Sequence, residues 1–218
     1  MNSRLAPLTI LRALLPGVRL VHEQIGPYAE AWSRENIRGA GLSGPLWVVL
    51  GDSLSQGIGA SAYDRGWVGQ ARARFDQLGR HYRLLNLSEA GATSAEVLAT
   101  QLPRLALIPR APSLVTLLVG GNDILRPTTR ATLPERFGRI LAELPMGSLV
   151  ARMPQPLVVA RAVNRLIDSD PSVVPVDVRR AAMRFYGHRA RDLFHPNDRG
   201  YARVASIFVE AAMNVGYP

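Results

Sequence analysis

Short apolar runs alternate along the chain with stretches of helical period. Leu46–Leu50, Tyr82–Leu87, Leu114–Val119, Ser148–Arg152 and Ser172–Val178 have the length and largely apolar character of buried strands. Between them the period lengthens, and helices are predicted over Trp67–Leu78, from Thr93 onward, over Leu133–Leu144 and over Val158–Ile167. Thr93 with Glu96 three residues on has the spacing of a capping box. A last helix is predicted from Asn197 or Asp198, burying Val204, Ile207, Phe208 and Ala211. Strands alternating with crossover helices predict a parallel sheet wrapped on both faces. Gly39 to Pro45 reads as a linker, which divides the chain into an N-terminal helical segment and linker (1–45) and a main domain (46–218).

The N-terminal segment is apolar from residue 5 to residue 25, but Arg4, Arg12 and Arg19 interrupt it. No stretch reaches the roughly 20 uninterrupted apolar residues of a membrane span. A cleavable signal is not expected either, because no small-residue cleavage site follows a compact apolar core. On a helix the three arginines fall within about 80° of one another, and Pro16 would kink that helix. Packing against the main domain is the expected role, and attachment to an anionic membrane surface is the alternative. The expected compartment is cytoplasmic, with membrane association left open.

Composition narrows the function classes. The chain has 218 residues, 47% hydrophobic and 20% charged, as a globular domain does. It has no cysteine, which excludes disulfides and thiol catalysis. The net charge of +9 is carried by arginine alone. These arginines are dispersed, approaching clusters only at Arg72/Arg74 and Arg179/Arg180/Arg184, and aromatic residues make up 6%. Nucleic acid is therefore not an expected partner, since stacking platforms are scarce.

Four blocks carry candidate chemistry: Gly51-Asp52-Ser53-Leu54 after the first strand, Asn86 to Thr93 after the second, Gly120-Gly121-Asn122-Asp123 after the third, and Asp192-Leu193-Phe194-His195 before the last helix. A serine hydroxyl needs a base to become a nucleophile. His195 is the best of the four histidines for that task, with Asp192 three residues earlier to orient it. His22, His81 and His188 lack such a setting. In this order the blocks resemble the SGNH hydrolases, the GDSL esterases and lipases, over roughly Leu46 to Met213.

The resemblance implies a flavodoxin-like three-layer α/β/α sandwich with a five-stranded parallel sheet. It further implies a serine esterase with Ser53 as nucleophile, His195 as base, Asp192 as orienting acid, and an oxyanion hole of Ser53, Gly91 and Asn122. No metal or cofactor is implied. Asp52 and Asp123 are expected to hold their loops. The implied substrate is a small-molecule, lipid or glycan ester, in a pocket lined partly by Ile124–Thr132 and Met153–Leu157. Acyl transfer or thioester hydrolysis on the same fold remain alternatives, as does a non-catalytic membrane- or glycan-binding module. Gly57-Ile58-Gly59-Ala60-Ser61-Ala62 fits a dinucleotide fingerprint in letters, so nucleotide binding is a further alternative. Its first glycine, however, comes six residues after Gly51 instead of directly after the strand. The G-x-S-x-G elbow of α/β-hydrolases is absent, because Ser55 stands where its second glycine would be.

Overall fold

The computed structural model describes residues 16–182 and 187–216. The N-terminal run up to residue 15, with Arg4 and Arg12, and Arg184 lie outside the described residues. Five strands, β1 (Leu46–Gly51), β2 (Arg83–Asn86), β3 (Leu114–Leu118), β4 (Ser148–Ala151) and β5 (Val173–Val176), form one sheet in the order β2-β1-β3-β4-β5. Every pairing is parallel, and Trp47 of β1 lies opposite both Leu84 of β2 and Leu114 of β3. That order reverses direction between β1 and β3, the place where open α/β sheets leave a crevice at their carboxyl ends.

All six residues of β1 are buried, because both faces of the sheet are covered. Successive side chains point to opposite faces. Trp47 and Val49 join one core with Trp67, Phe75, Tyr82, Tyr201 and Phe208. Leu46, Val48 and Leu50 join a second core with Leu117, Phe137, Ile140, Val150 and Val163. In the first, the Trp67 and Phe208 rings stack at 4.2 Å, and the Trp47 indole N–H donates to Thr116 Oγ1 at 3.0 Å. Each of these fully buried large side chains is worth roughly 1.5–3 kcal/mol of transfer free energy.

Helices α1 (Pro16–His22) and α2 (Ile25–Gly41) precede the sheet, and α3 (Ser53–Gln56) and α4 (Trp67–Gln77) follow β1. After β2 comes α5, built from Ser94–Glu96, a π turn over Val97–Gln101, and Leu102–Ala106. The predicted Thr93–Glu96 capping box is present at its start. Two short helices, α6 (Gly121–Leu125) and α7 (Pro127–Arg130), and the longer α8 (Leu133–Glu143) follow β3. The remaining helices are α9 (Val158–Ser169), α10 (Arg179–Ala182) and α11 (Asp198–Asn214). No described helix is long and apolar enough to cross a membrane.

Two local readings of the sequence give way to packing. The stretch predicted as a linker from Gly39 is helical as far as Gly41, and Trp32 of the same helix is buried in the first core. Gly39 has a tertiary reason to be glycine: a Cβ there would stand 2.3 Å from the Leu84 carbonyl oxygen. Helix α11 buries Val204, Ala205, Phe208, Val209 and Ala212, while Ile207 and Ala211 are only partly covered.

Candidate active site

The site is assembled at the carboxyl ends of β1, β2 and β3. Strand β1 ends in Gly51 at φ +147°, where a Cβ would stand 2.4 Å from the Leu118 carbonyl oxygen. Only glycine lets the chain turn there against β3. The buried Gln101 side chain, from the π turn of α5, accepts from Gly51 N–H and donates to Gly51 O, both at 2.8 Å. Asp52 then caps α3 by accepting from Leu54 N–H at 3.0 Å, and Ser53 opens that helix. Burial pushes the Asp52 carboxyl up to about 6, against the opposing pull of the Leu54 N–H.

The loop after β2 is tied to this turn by buried amides. Asn86 Nδ2 donates to Ser55 O at 2.9 Å, while Asn86 Oδ1 accepts from Ser88 N and Oγ. Further along, Gly91 adopts φ +84°. The loop after β3 joins it from the other side. Asn122 Nδ2 donates to Ala92 O at 2.9 Å, and the fully buried Asp123 accepts from Ser94 N at 2.8 Å and Ser94 Oγ at 2.6 Å. Burial raises the Asp123 carboxyl despite those two bonds. Asp52 and Asp123 thus hold loops, as expected from the sequence.

The fourth block reaches across from the far end of the chain. His195 Nε2 lies 3.0 Å from Ser53 Oγ, although 142 residues separate them. On the other side of the ring, His195 Nδ1 lies 2.5 Å from Asp192 Oδ2. Asp192 Oδ1 accepts from the backbone N–H groups of Phe194 and His195, both at 3.0 Å. Burial alone would raise the Asp192 carboxyl, but the bonds from the His195 ring and these two N–H groups outweigh it, and its pKa is lowered. The carboxylate is therefore held ionised with its partner ring fixed in orientation. Such an arrangement can move the Ser53 proton to Nε2 while Nδ1 stays bonded to the acid.

The five residues expected to carry the chemistry, Ser53, Gly91, Asn122, Asp192 and His195, lie at this rim. Ser53–His195 and His195–Asp192 are in direct contact, and Asn122 bonds to the carbonyl of Ala92, the residue after Gly91. His81 instead pairs with Asp76 at 3.0 Å on the surface turn before β2. The Gly57–Ala62 loop does not follow a strand: Gly57 ends the one-turn helix α3 at φ +82°. A cleft of about 90 Å³ is walled by Asp52, Leu54 and Pro196, the chain neighbours of Ser53 and His195, with Leu118, Gly121 and Met153 among others. Met153–Gln155, expected along the substrate pocket, line this cleft. Residues 124–132 are absent from its walls, being folded largely into α6 and α7. Gln101 and Asn86, which fix the turns, carry no local signal in the sequence; their partners lie 50 and 31 residues away.

Residues 49–203 match the GDSL-like lipase/acylhydrolase family. The chain belongs to that family. Among curated relatives, esterase TesA of Pseudomonas aeruginosa is 41% identical over 90 residues, which is 41% of this chain and 43% of that protein. The match therefore spans less than half of the curated relative. A crystal structure of TesA superposes with a TM-score of 0.67 at 26% identity, covering 78% of this chain and 99% of that one. The family 3 carbohydrate esterase of Clostridium thermocellum superposes with a TM-score of 0.63 at 17% identity, over 79% of this chain and 97% of that one, and shares the fold.

Proposed function

We propose that this protein is a carboxylic-ester hydrolase that works through an acyl-enzyme on Ser53. The observation that carries the reading is the continuous chain of contacts Ser53–His195–Asp192, at 3.0 and 2.5 Å. Ser53 Oγ attacks the ester carbonyl carbon while its proton passes to His195 Nε2. The bond from that carbon to the alcohol oxygen then breaks, and His195 returns the proton to the leaving alcohol. In the second half, His195 takes a proton from water, the hydroxyl attacks the acyl carbon, and the carboxylic acid leaves as Ser53 regains its hydrogen.

The charge that develops on the carbonyl oxygen is met by the backbone N–H groups of Ser53 and Gly91 and by Asn122 Nδ2. That amide has a second hydrogen beyond the one given to Ala92 O. It is also pre-oriented by that bond, so it need not reorganise during the reaction. The test is a series of p-nitrophenyl esters from acetate to palmitate, with Ser53→Ala as control. Turnover that vanishes in the variant supports the reading, and its profile along the series reads the acyl-chain preference; turnover retained by the variant refutes it.

A further inference from the structure

Gly57–Ala62, whose letters matched a nucleotide loop, has a different use in the folded chain. Gly59 sits at φ +99°, and a Cβ on it would stand 2.7 Å from His195 Cβ, 2.6 Å from Pro196 O and 3.0 Å from Ala190 Cβ. The backbone of Gly59 is therefore a wall packed directly against the base of the His195 side chain. That wall has no sheet ladder to hold it, being a run of turns.

It is held from the N-terminal side by two side chains, Gln24 and Tyr28. Gln24 Oε1 accepts from Gly59 N–H at 2.8 Å, and Gln24 Nε2 donates to Ala60 O at 3.0 Å. The same carbonyl accepts from Tyr28 Oη at 2.8 Å. Gln24 occupies the N-cap position of α2, where Ser, Thr, Asp or Asn would normally cap the helix; its amide makes no cap bond and is turned to the loop instead. A side-chain amide that offers both an acceptor and a donor does for Gly59 and Ala60 what a neighbouring strand would.

The same segment also touches the loop that carries the acid. Val21 packs with Ile58 and Ala190 in a small separate cluster, with Ile25, Tyr28 and Ala90 around it. Gly17 lies so close to Arg191 that a Cβ would stand 2.2 Å from its carbonyl oxygen. Arg191 immediately precedes Asp192. The turn beyond it contains Leu193 at φ +57°, a left-handed conformation in a residue with a side chain, and Leu193 is 72% exposed. Such a conformation persists only where its surroundings over-determine it. Residues 17–28 supply part of those surroundings, and they lie ahead of the family domain, which starts at residue 49.

We infer that Gln24 is a positioning residue for His195: through the Gly59–Ala60 backbone it fixes the wall against which the His195 Cβ stands, so that the N-terminal helices help to aim the imidazole. The inference rests on the reading of His195 as the base. Misplacement of a catalytic group by about 1 Å costs on the order of 10²-fold, and a wall that relaxes by part of that distance is expected to cost about tenfold in kcat.

The experiment uses the full chain carrying Gln24→Ala, Gln24→Glu or Tyr28→Phe. Active sites are counted by fluorophosphonate titration, so that any unfolded fraction drops out. Expected for Gln24→Ala is a kcat per titrated site lowered about tenfold at unchanged KM, with a weakened low-field proton resonance from the His195–Asp192 bond. Gln24→Glu, which still accepts from Gly59 but no longer donates to Ala60, should fall between, and Tyr28→Phe should shift least. A lowered melting temperature with kcat per site and the resonance as in the wild type would make Gln24 an ordinary packing residue and overturn the inference. Failure of the underlying reading looks different: His195→Ala would then keep wild-type turnover, whatever the Gln24 variants do.

Discussion

The two halves of the catalytic rim are built in opposite ways. Ser53, Gly91 and Asn122 stand two, five and four residues beyond the ends of β1, β2 and β3, and buried side chains tie their turns together: Gln101 to Gly51, Asn86 to Ser55, Asp123 to Ser94. Asp192 and His195 have no strand beneath them. Their turn bends through an exposed non-glycine residue at positive φ and leans on Gly59, Ala190 and the N-terminal helices. The nucleophile half is thus set by the sheet itself. The base half is set by loops packed on loops, and it should be the softer of the two.

The largest effects should come from the reacting groups themselves. His195→Ala is expected to lower kcat by roughly 10²–10⁴, the usual range for general acid–base catalysis, with melting temperature nearly kept. Near-normal turnover in that variant would remove His195 from the mechanism. Asn122→Ala is expected next, at roughly 10²–10³ in kcat with little change in KM, because its amide meets charge that exists only in the transition state. A rise in KM alone would instead mark it as a contact to the resting ester.

Gly59→Ala separates the two halves. The new Cβ collides with His195 Cβ and Pro196 O, so turnover should collapse, whereas the sheet-borne half of the rim should keep its structure. Hydrogen exchange would read this as lost protection in 188–197 with the β1 and β3 amides unchanged. Lost protection in β1 would contradict the division into two independently built halves.

A smaller effect concerns pH. The Asp52 carboxyl rises from 3.8 to about 6 on folding, so its contribution to stability is full below the unfolded value and is lost as pH climbs through about 6. Asp52→Asn, which can still accept from Leu54 N–H, should flatten the fall in melting temperature between about pH 4 and pH 6. Asp192 has the opposite sign: its pKa is lowered, so its contribution is present above the ordinary carboxylate range and fades as acid protonates it. An unchanged slope in Asp52→Asn would mean that this carboxyl does not titrate in that window.

The smallest effect is expected at the N-terminal arginines. Arg19 pairs with Glu23 at 3.6 Å with both side chains well exposed. Changing Arg4, Arg12 and Arg19 to glutamine should shift stability by no more than about 0.5 kcal/mol. Salt-sensitive sedimentation of the wild type with anionic vesicles, lost in the variant, would turn this segment into a membrane contact instead of a buttress.

How much of this was legible in the sequence follows the same division. The strands were readable because burial on both faces leaves almost uninterrupted apolar runs such as Leu46–Leu50. The helices were readable from their period, and the Thr93–Glu96 box from its spacing. All four chemical blocks were visible because the residues in each lie within a few positions of one another. What stayed hidden depends on distant partners. Gly39 looked like a linker because its reason, the Leu84 carbonyl, is 45 residues away. Gln24 and Gln101 are ordinary glutamines until the fold brings Gly59 and Gly51 within reach. The Gly57–Ala62 loop offered a pattern of letters whose meaning came only from the histidine behind it.

The most direct test of the central claim, that Ser53, His195 and Asp192 act as one unit, is to map a fluorophosphonate adduct by mass spectrometry and to time its formation. The adduct should form on Ser53 in the wild type, be missing in Ser53→Ala, and form at least about 10²-fold more slowly in His195→Ala. An adduct on Ser55 or Ser61, or formation at the wild-type rate without His195, would contradict it.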